Sequence, residues 1–401
     1  MKKKYCSFSI LVLVLVTIAS CKKNHNSVPI SSEYIEINLD EIKKEDTLLL
    51  SQIFNNIDVI QLSDEILIGE ISKILIHDEE LFILDKLSSA VFIFDKKGNY
   101  KKKIGSRGAG PGEMLRAFDM SVDKKNNCIY ISDIQTQKIK KYNIKDGIFQ
   151  SSISLSSNMP MCSYIFYEND TIYLTQFDPS KKDTEYLFRI LPVDEEDNNF
   201  IIPTLSNKSW DNALTNYNGP FLLKWDNKPL LSHLFMDTIY EYSNNRPTPY
   251  IVLSGYEKNF FIPNDLSGLD VNNNPMDMIK ILGMNKYFDI HHFMDTDDFI
   301  FFRLNKGSKP HNILYDKGNS SAKKIESIYE DLFFNHVNIN QLPVNYGIKE
   351  DKSVLYYIGP RDWETMITSS NLIKDESLLN GLKNIKDSDS FNGFILCYEI
   401  K

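Results

Sequence analysis

The chain of 401 residues carries 45 Lys and Arg against 54 Asp and Glu, a formal charge of −9. That balance excludes a phosphate backbone as an expected partner, since no dense Lys/Arg stripe with interleaved aromatics offsets it. Five cysteines without a closely spaced pattern exclude a compact structural zinc motif.

Lys2, Lys3 and Lys4 precede an apolar run from Ile10 to Val16, too short to span a bilayer and followed by small residues. Residues 1–20 therefore read as a secretory signal. The four residues Ile18-Ala19-Ser20-Cys21 resemble the bacterial lipobox, in which the cysteine is lipidated and becomes the first residue after cleavage. Ordinary cleavage near Ser20, with Cys21 a bystander thiol, is the alternative. Residues 21–30 are polar and suit a lipidated tether. Lys22 and Lys23 stand where surface-exported lipoproteins carry acids, which favours an outer-membrane anchor facing the periplasm. Losing the three leader lysines deepens the charge to −12. Of the cysteines that remain, Cys128 and Cys397 lie in apolar strand-like runs and read as buried thiols, while Cys162 makes an odd trio that allows at most one disulfide.

From residue 81 a pattern of strands and turns occurs twice. Leu81-Phe82-Ile83-Leu84-Asp85 returns as Ile129-Tyr130-Ile131-Ser132-Asp133, and Val91–Asp95 returns as Ile139–Asn143, both at an offset of 48 residues. Short strands repeating at this period point to a propeller, whose units bury their apolar faces by stacking on neighbours. Six segments read as interior blade strands: Leu81–Leu84, Ile129–Ser132, Thr171–Leu174, Thr238–Glu241, Phe299–Phe302 and Val354–Ile358. Asp170-Thr171-Ile172-Tyr173 recurs as Asp237-Thr238-Ile239-Tyr240 and ties the third unit to the fourth. The fourth reads as a meander of Phe221–Trp225, Leu230–Leu234, Thr238–Tyr242 and Tyr250–Leu253. The fifth runs from Phe288 to about Phe334. Two insertions read as helices: Pro275–Met284, with Met278, Ile281 and Leu282 on one side, and Asn371–Ile385. The C-terminal run Phe394–Ile400 needs a partner strand, or the ring keeps an open edge. Tyr34–Leu39 or Ile57–Leu62 is expected to complete that blade; otherwise residues 31–50 pack across one face.

Residues 31–401 are thus expected to form an all-β, six-bladed β-propeller of four-stranded antiparallel blades with two short helical insertions. One stretch carries a family likeness. Phe94-Asp95-Lys96-Lys97-Gly98, then Gly108-Ala109-Gly110-Pro111-Gly112-Glu113, then Ile129-Tyr130-Ile131-Ser132-Asp133 resembles the hallmark of the NHL-like six-bladed β-propeller lipoproteins of gut Gram-negative bacteria. The resemblance implies the fold and the envelope address, and says little about activity.

The Gly-rich loop is no phosphate cradle, because a strand pattern rather than a helix follows it. Gly110-Pro111-Gly112-Glu113 suits a type II turn in a blade-to-blade crossover. Arg107, Glu113 and Arg116 beside it are candidates to face a ligand, with an interblade salt-bridge latch as the alternative. Asp85 and Asp133 sit at matching repeat positions, which suits turn capping better than a catalytic carboxylate pair. NHL-type amidating lyases bind zinc through histidines of different blades. Here His291 and His292 are adjacent and would point to opposite faces of a regular strand, and His77, His233, His311 and His336 are scattered over separate units. No metal site and no cofactor are predicted. Trp210, Tyr217, Trp225 and Trp363 lie in or beside loops rich in Asn, Asp and Gly and could stack on sugars or peptides at a propeller mouth. The expected function is a lipid-anchored binding module with Arg107, Glu113, Arg116, Trp225, His233 and Trp363 as ligand contacts. Its partners would be the membrane, through Cys21, and an envelope protein, peptide or glycan. The rival is an envelope enzyme, either a metal-dependent lyase or a hydrolase of glycan or peptide.

Overall fold

The structure is a computed structural model that describes residues 34–155, 161–177, 186–193, 202–206, 221–223, 228–232, 234–243, 246–255, 260–269, 274–339, 353–360, 362, 373–374 and 391–401. The signal, Cys21 and the tether lie outside these residues, as do Trp210, Tyr217, Trp225, His233 and Trp363. Tyr34–Lys401 is one compact unit.

The unit opens with β1 (Ile35–Asn38), β2 (Lys43–Leu49), the single helical turn α1 (Leu50–Ile53) and β3 (Phe54–Gln61). The first sheet follows as β4 (Ile71–His77), β5 (Glu80–Asp85), β6 (Ala90–Asp95) and β7 (Tyr100–Ile104). The second is β8 (Ala117–Asp123), β9 (Cys128–Asp133), β10 (Lys138–Asn143) and β11 (Phe149–Ser154), and the third β12 (Met161–Glu168), β13 (Thr171–Phe177), β14 (Tyr186–Pro192) and β15 (Ile202–Ser206). Each is a plain four-stranded antiparallel meander. The repeat is reproduced in register: β5 and β9, like β6 and β10, begin and end 48 residues apart.

Composition explains the order of strands. Residues 81–85 of β5 and all of β9 are buried, because an interior strand is covered on both faces. At the far edge β7 alternates exposed and covered residues, with Lys101 and Lys103 outward. Charged residues there discourage pairing with another chain.

The remaining strands depart from six like units. The fourth sheet holds β16 (Leu222–Leu223), β17 (Pro229–Leu231), β18 (Thr238–Ser243) and β19 (Arg246–Ser254), the expected meander, but β1 adds to β19 in parallel. A 3-10 turn (Pro263–Leu266) and α2 (Pro275–Gly283) lead to the fifth sheet, β20 (Tyr287–Asp295), β21 (Phe299–Lys306), β22 (Lys309–Asp316) and β23 (Ser321–Glu330). There β2 adds in parallel to β23, which also pairs with the short β24 (Val337–Asn338). The sixth has three described strands, β25 (Ser353–Ile358), β26 (Phe394–Ile400) and β3, all antiparallel. Of the two N-terminal candidates, the Ile57–Leu62 stretch is the one that pairs with the C-terminal strand, as β3. Residues 35–49 lengthen the outer edges of two other sheets, because their backbone groups find unpaired edges there.

Three sequence expectations need correction. Val354–Ile358 is an edge strand among the described residues. Asp170–Tyr173 leads into the second strand of its sheet, whereas Asp237–Tyr240 leads into the third, so the likeness is local turn chemistry and not equivalent position. Of Asn371–Ile385 only residues 373 and 374 are described, and Ile373 bridges Phe334 instead of lying in a helix. The other insertion is helical: Asn274 caps it through Met276 N–H at 3.2 Å, and Ile281 is buried with Met278 and Leu282 half-covered.

The sheets stack as a propeller stacks. First strands of successive sheets lie against each other, β4 on β8, β8 on β12 and β16 on β20. Apolar clusters join the first sheet to the second, the second to the third, the fourth to the fifth and the fifth to the sixth. Aromatic pairs, Phe166–Phe221 at 6.5 Å and Tyr173–Tyr242 at 6.1 Å, join the third to the fourth. A last cluster places Leu355 and Ile395 of the sixth against Ile83 and Phe94 of the first. The arrangement is all-β and propeller-like. Among the described residues no helix is long and apolar enough to cross a membrane.

Candidate functional site

The first strands are irregular at one recurrent place. The register slips between Ile71 and Lys73 in β4, between Ala117 and Asp119 in β8, between Cys162 and Ile165 in β12 and between His291 and Met294 in β20. Each bulge inserts residues that break the in–out alternation and re-aim side chains, a device that recurs beside functional sites. Freed backbone groups are satisfied locally. Asp119 N–H donates to Ser132 Oγ at 3.0 Å and Tyr164 N–H to Thr175 Oγ1 at 3.1 Å, both hydroxyls coming from the neighbouring second strand.

In the first three sheets these positions converge. Lys73 Nζ meets Asp119 Oδ1 at 2.8 Å, and Asp119 Oδ2 accepts from Ile165 N–H at 2.9 Å. One buried carboxylate thus ties three first strands. Beside it the rings of Phe118 and Tyr164 meet edge-on at 5.1 Å, and Lys86 Nζ stands 5.7 Å from the Phe118 ring. Burial, with the Asp119 carboxylate adding to it, pushes the Tyr164 phenol up, so it stays a neutral donor. Phe118 and Tyr164 are half-buried. Flat aromatic surface next to a cation and a carboxylate suits a ligand that offers both apolar faces and hydrogen-bonding groups.

The fifth sheet contributes a second group. The bulge in β20 gives His292 a φ of 47° and brings its ring to 4.8 Å from that of His291. The opposite-face expectation for this pair fails because the strand is not regular there. His291 Nδ1 lies 3.1 Å from Asp289 Oδ2. Burial first, then His291 and Arg303, hold His292 down to about 4, against the pull of Asp289. His77 is buried against Phe82, its Nε2 3.4 Å from Asp78. Among the described residues no group of three or more His, Cys, Asp or Glu is placed to hold a metal ion.

The Gly-rich crossover joins β7 to β8 and delivers the chain to the Phe118 bulge. Its turn closes, Glu113 N–H to Gly110 O at 3.0 Å, yet Gly112 has no positive φ, so the type II assignment fails. Glycine is needed at 112 for proximity: a Cβ there would stand 3.0 Å from that of Phe149. Glu113 is half-buried and accepts from Gly110 N–H at 2.9 Å, which makes it a turn cap. Buried Lys140 clamps the loop from below, donating to Pro111 O at 3.0 Å and to the carbonyls of Gly110 and Glu113. Burial draws its pKa down while Asp133 opposes. Arg107 and Arg116 are exposed at the rim and form no ion pair with a described residue, so the latch is not seen there.

Asp85 and Asp133 are turn caps. Asp133 accepts from Leu115 and Arg116 N–H, both at 3.0 Å, and Asp85 from Glu70 N–H at 2.6 Å and Ser88 Oγ at 2.6 Å. Cys128 and Cys397 are buried, and neither forms a disulfide.

A family model described as "Domain of unknown function (DUF4934)" matches residues 34–399. The chain belongs to the DUF4934 family. The crystal structure of a Bacteroides fragilis NCTC 9343 protein, named for export, is similar to this DUF4934 chain with a TM-score of 0.70 at 19% identity, over 92% of this chain and 99% of that one. That likeness supports the fold. A member of the DUF4221 family from Bacteroides vulgatus matches with a TM-score of 0.49 at 11% identity, over 87% of this chain and 97% of the other. No curated protein matches the chain.

Sequence reasoning about the DUF4934 chain missed Lys73, Phe118, Asp119 and Tyr164. The signal was present as a break of the period-two pattern in Ala117-Phe118-Asp119-Met120, where an outward aromatic and a buried acid stand side by side.

Proposed function

We propose that this DUF4934 protein is a lipid-anchored, six-bladed β-propeller of the cell envelope that works as a binding module. The observation that carries the reading is the convergence of Lys73, Phe118, Asp119 and Tyr164 at bulges of three first strands, since a shared surface assembled from several sheets is what a propeller offers a ligand. Six sheets, each packed on the next and the last on the first, support the blade count. The export named for the Bacteroides fragilis protein supports the address, and Ile18–Cys21 supports the anchor.

The ligand is an envelope protein, peptide or glycan, held at the crossover face. Arg107, Glu113 and Arg116 of the Gly-rich loop are its proposed contacts, together with Trp225, His233 and Trp363 as the sequence suggests. A net charge of −12 after leader removal argues against nucleic acid.

The test is a thermal-shift screen of residues 22–401, which hold the whole compact unit, against envelope peptides and glycans. A true ligand binds at least about tenfold more weakly to Phe118→Ala and Tyr164→Ala, a loss of about 1.4 kcal/mol. A ligand indifferent to both places the surface elsewhere. The anchor is read separately: alkyne-tagged fatty acid should label the wild type and not Cys21→Ala.

A further inference from the structure

Four of the eight large apolar side chains that the described residues leave exposed are gathered in one region. They are Ile262 at 50%, Met276 at 59%, Ile279 at 60% and Met284 at 38% exposure. Met276 and Ile279 share the outer face of α2, with Lys280 beside Met276 and Met284 at the helix end. The inner face is committed to the fold, through buried Ile281 against Phe235, Phe261 and Leu266. The outer face is apolar without holding the helix in place.

Its described charges form two Lys–Asp ion pairs. Asp277 is buried and accepts from Lys280 Nζ at 2.6 Å, while Asp265 is held by Lys286 Nζ at 2.5 Å and by Ile262 N–H at 2.8 Å. Both carboxylates are turned to lysines, and the lysines stand at the border of the apolar surface. Long side chains of this kind lay their methylenes on apolar groups and keep the ammonium among phosphates. In a chain of net charge −12 once the leader is gone, a face without an unpaired described acid is an exception.

We propose that this face docks on the surface of the lipid bilayer to which the chain is tethered. The proposal rests on the lipid-anchor reading for its strength but is tested apart from it. Twelve residues separate Cys21 from Tyr34, so the anchor point is within about 45 Å of Tyr34. The first described strand then runs along β19, with Ile35 opposite Ile251 and Asn38 opposite Ser254. Beyond Ser254 the chain proceeds to Phe260, the 3-10 turn and α2. The tether thus enters at the fourth sheet, and the 3-10 turn and α2 follow the last strand of that sheet in the chain. Four apolar side chains alone bind a membrane weakly, but a tethered protein meets it at high effective concentration. Docking would turn the propeller from a freely swinging body into one with a set orientation.

The experiment is co-sedimentation of residues 22–401, made without a lipid, with vesicles of phosphatidylethanolamine and phosphatidylglycerol. Expected is a lipid-dependent bound fraction that falls about tenfold in Ile279→Asp and in Met276→Asp. These positions are exposed, and an unchanged melting temperature confirms the fold. A chain that stays in the supernatant at every lipid concentration, or a bound fraction that ignores both Asp variants, overturns the proposal. So does a vesicle-free dimer that the same variants dissolve, which would make a second copy the occupant. Absence of fatty acid on Cys21 would defeat the anchor reading and leave this measurement standing.

Discussion

Lys73 of the first sheet and Asp119 of the second are joined at 2.8 Å, with the carboxylate buried and the ammonium a quarter exposed. The same carboxylate accepts from Ile165 N–H of the third sheet. Removing it strands a lysine and a backbone donor together, and leaving a partner of a buried pair uncompensated costs more than the pair contributes. Asp119→Ala should destabilise the protein by about 3 kcal/mol, measured by urea unfolding. Lys73→Met leaves the more buried of the two charges unpaired and should cost a similar amount.

Asp133 gathers four N–H groups, two from the entering segment and two, Gln135 at 3.3 Å and Thr136 at 3.4 Å, from its own turn. An amide oxygen can replace part of that set and a methyl group none. Asp133→Asn should lose about 1 kcal/mol and Asp133→Ala about 2 to 3 kcal/mol of unfolding free energy. Asp85 variants should follow the same order, and a catalytic pair would leave stability almost unchanged.

Gly98 adopts a φ of +84°, and a Cβ on it would stand 1.8 Å from Gln61 O, at the end of the strand that pairs with the C-terminal one. Its carbonyl also accepts from Ser63 N–H at 2.8 Å. Gly98→Ala should cost more than about 2 kcal/mol. Gly318, its echo in the fifth sheet, is exposed and has no positive φ. Gly318→Ala should cost under about 1 kcal/mol, and equal losses at the two sites would show that strand closure does not depend on the Gly98 contact.

Acid should weaken the fold through two histidines. Burial holds His292 and His311 down to about 4 from an ordinary 6.5. His292 faces His291, Asp289 and Arg303, and His311 faces Lys324, Lys306, Lys309 and Glu326. Between those values the unfolded chain binds more protons, so this stability is full above about 6.5 and is lost as pH falls toward 4. Glu330, raised by burial, acts with the opposite sign and loses its contribution as pH rises. The urea midpoint should therefore drop more between pH 7 and pH 4.5 in the wild type than in His292→Gln/His311→Gln. Parallel drops would mean that neither histidine is held neutral.

Much of the fold was legible because it rests on local alternation. The 48-residue repeat, five of the six interior strands, the meander of the fourth sheet and α2 are set by side chains within a few residues of each other. The candidate site was not. Its members stand in three sheets at bulges of their first strands, and two of those bulges are met by a hydroxyl of the neighbouring strand, Ser132 at Asp119 and Thr175 at Tyr164.

By itself the sequence determined that strands of this chain stack as repeated units, since period-two apolar runs bounded by Asp and Gly turns have few other ways to bury their faces. It also pointed to Asp85 and Asp133 as turn caps, although Leu115, Arg116 and Glu70, which they also hold, lie in segments well before them in the chain. Only the tertiary structure decided where residues 35–61 go, because three unpaired sheet edges competed for the same short strands and long-range backbone pairing selected among them. It likewise decided that Lys73 meets Asp119, a contact across 46 residues between two sheets, because neither strand names its partner in the other.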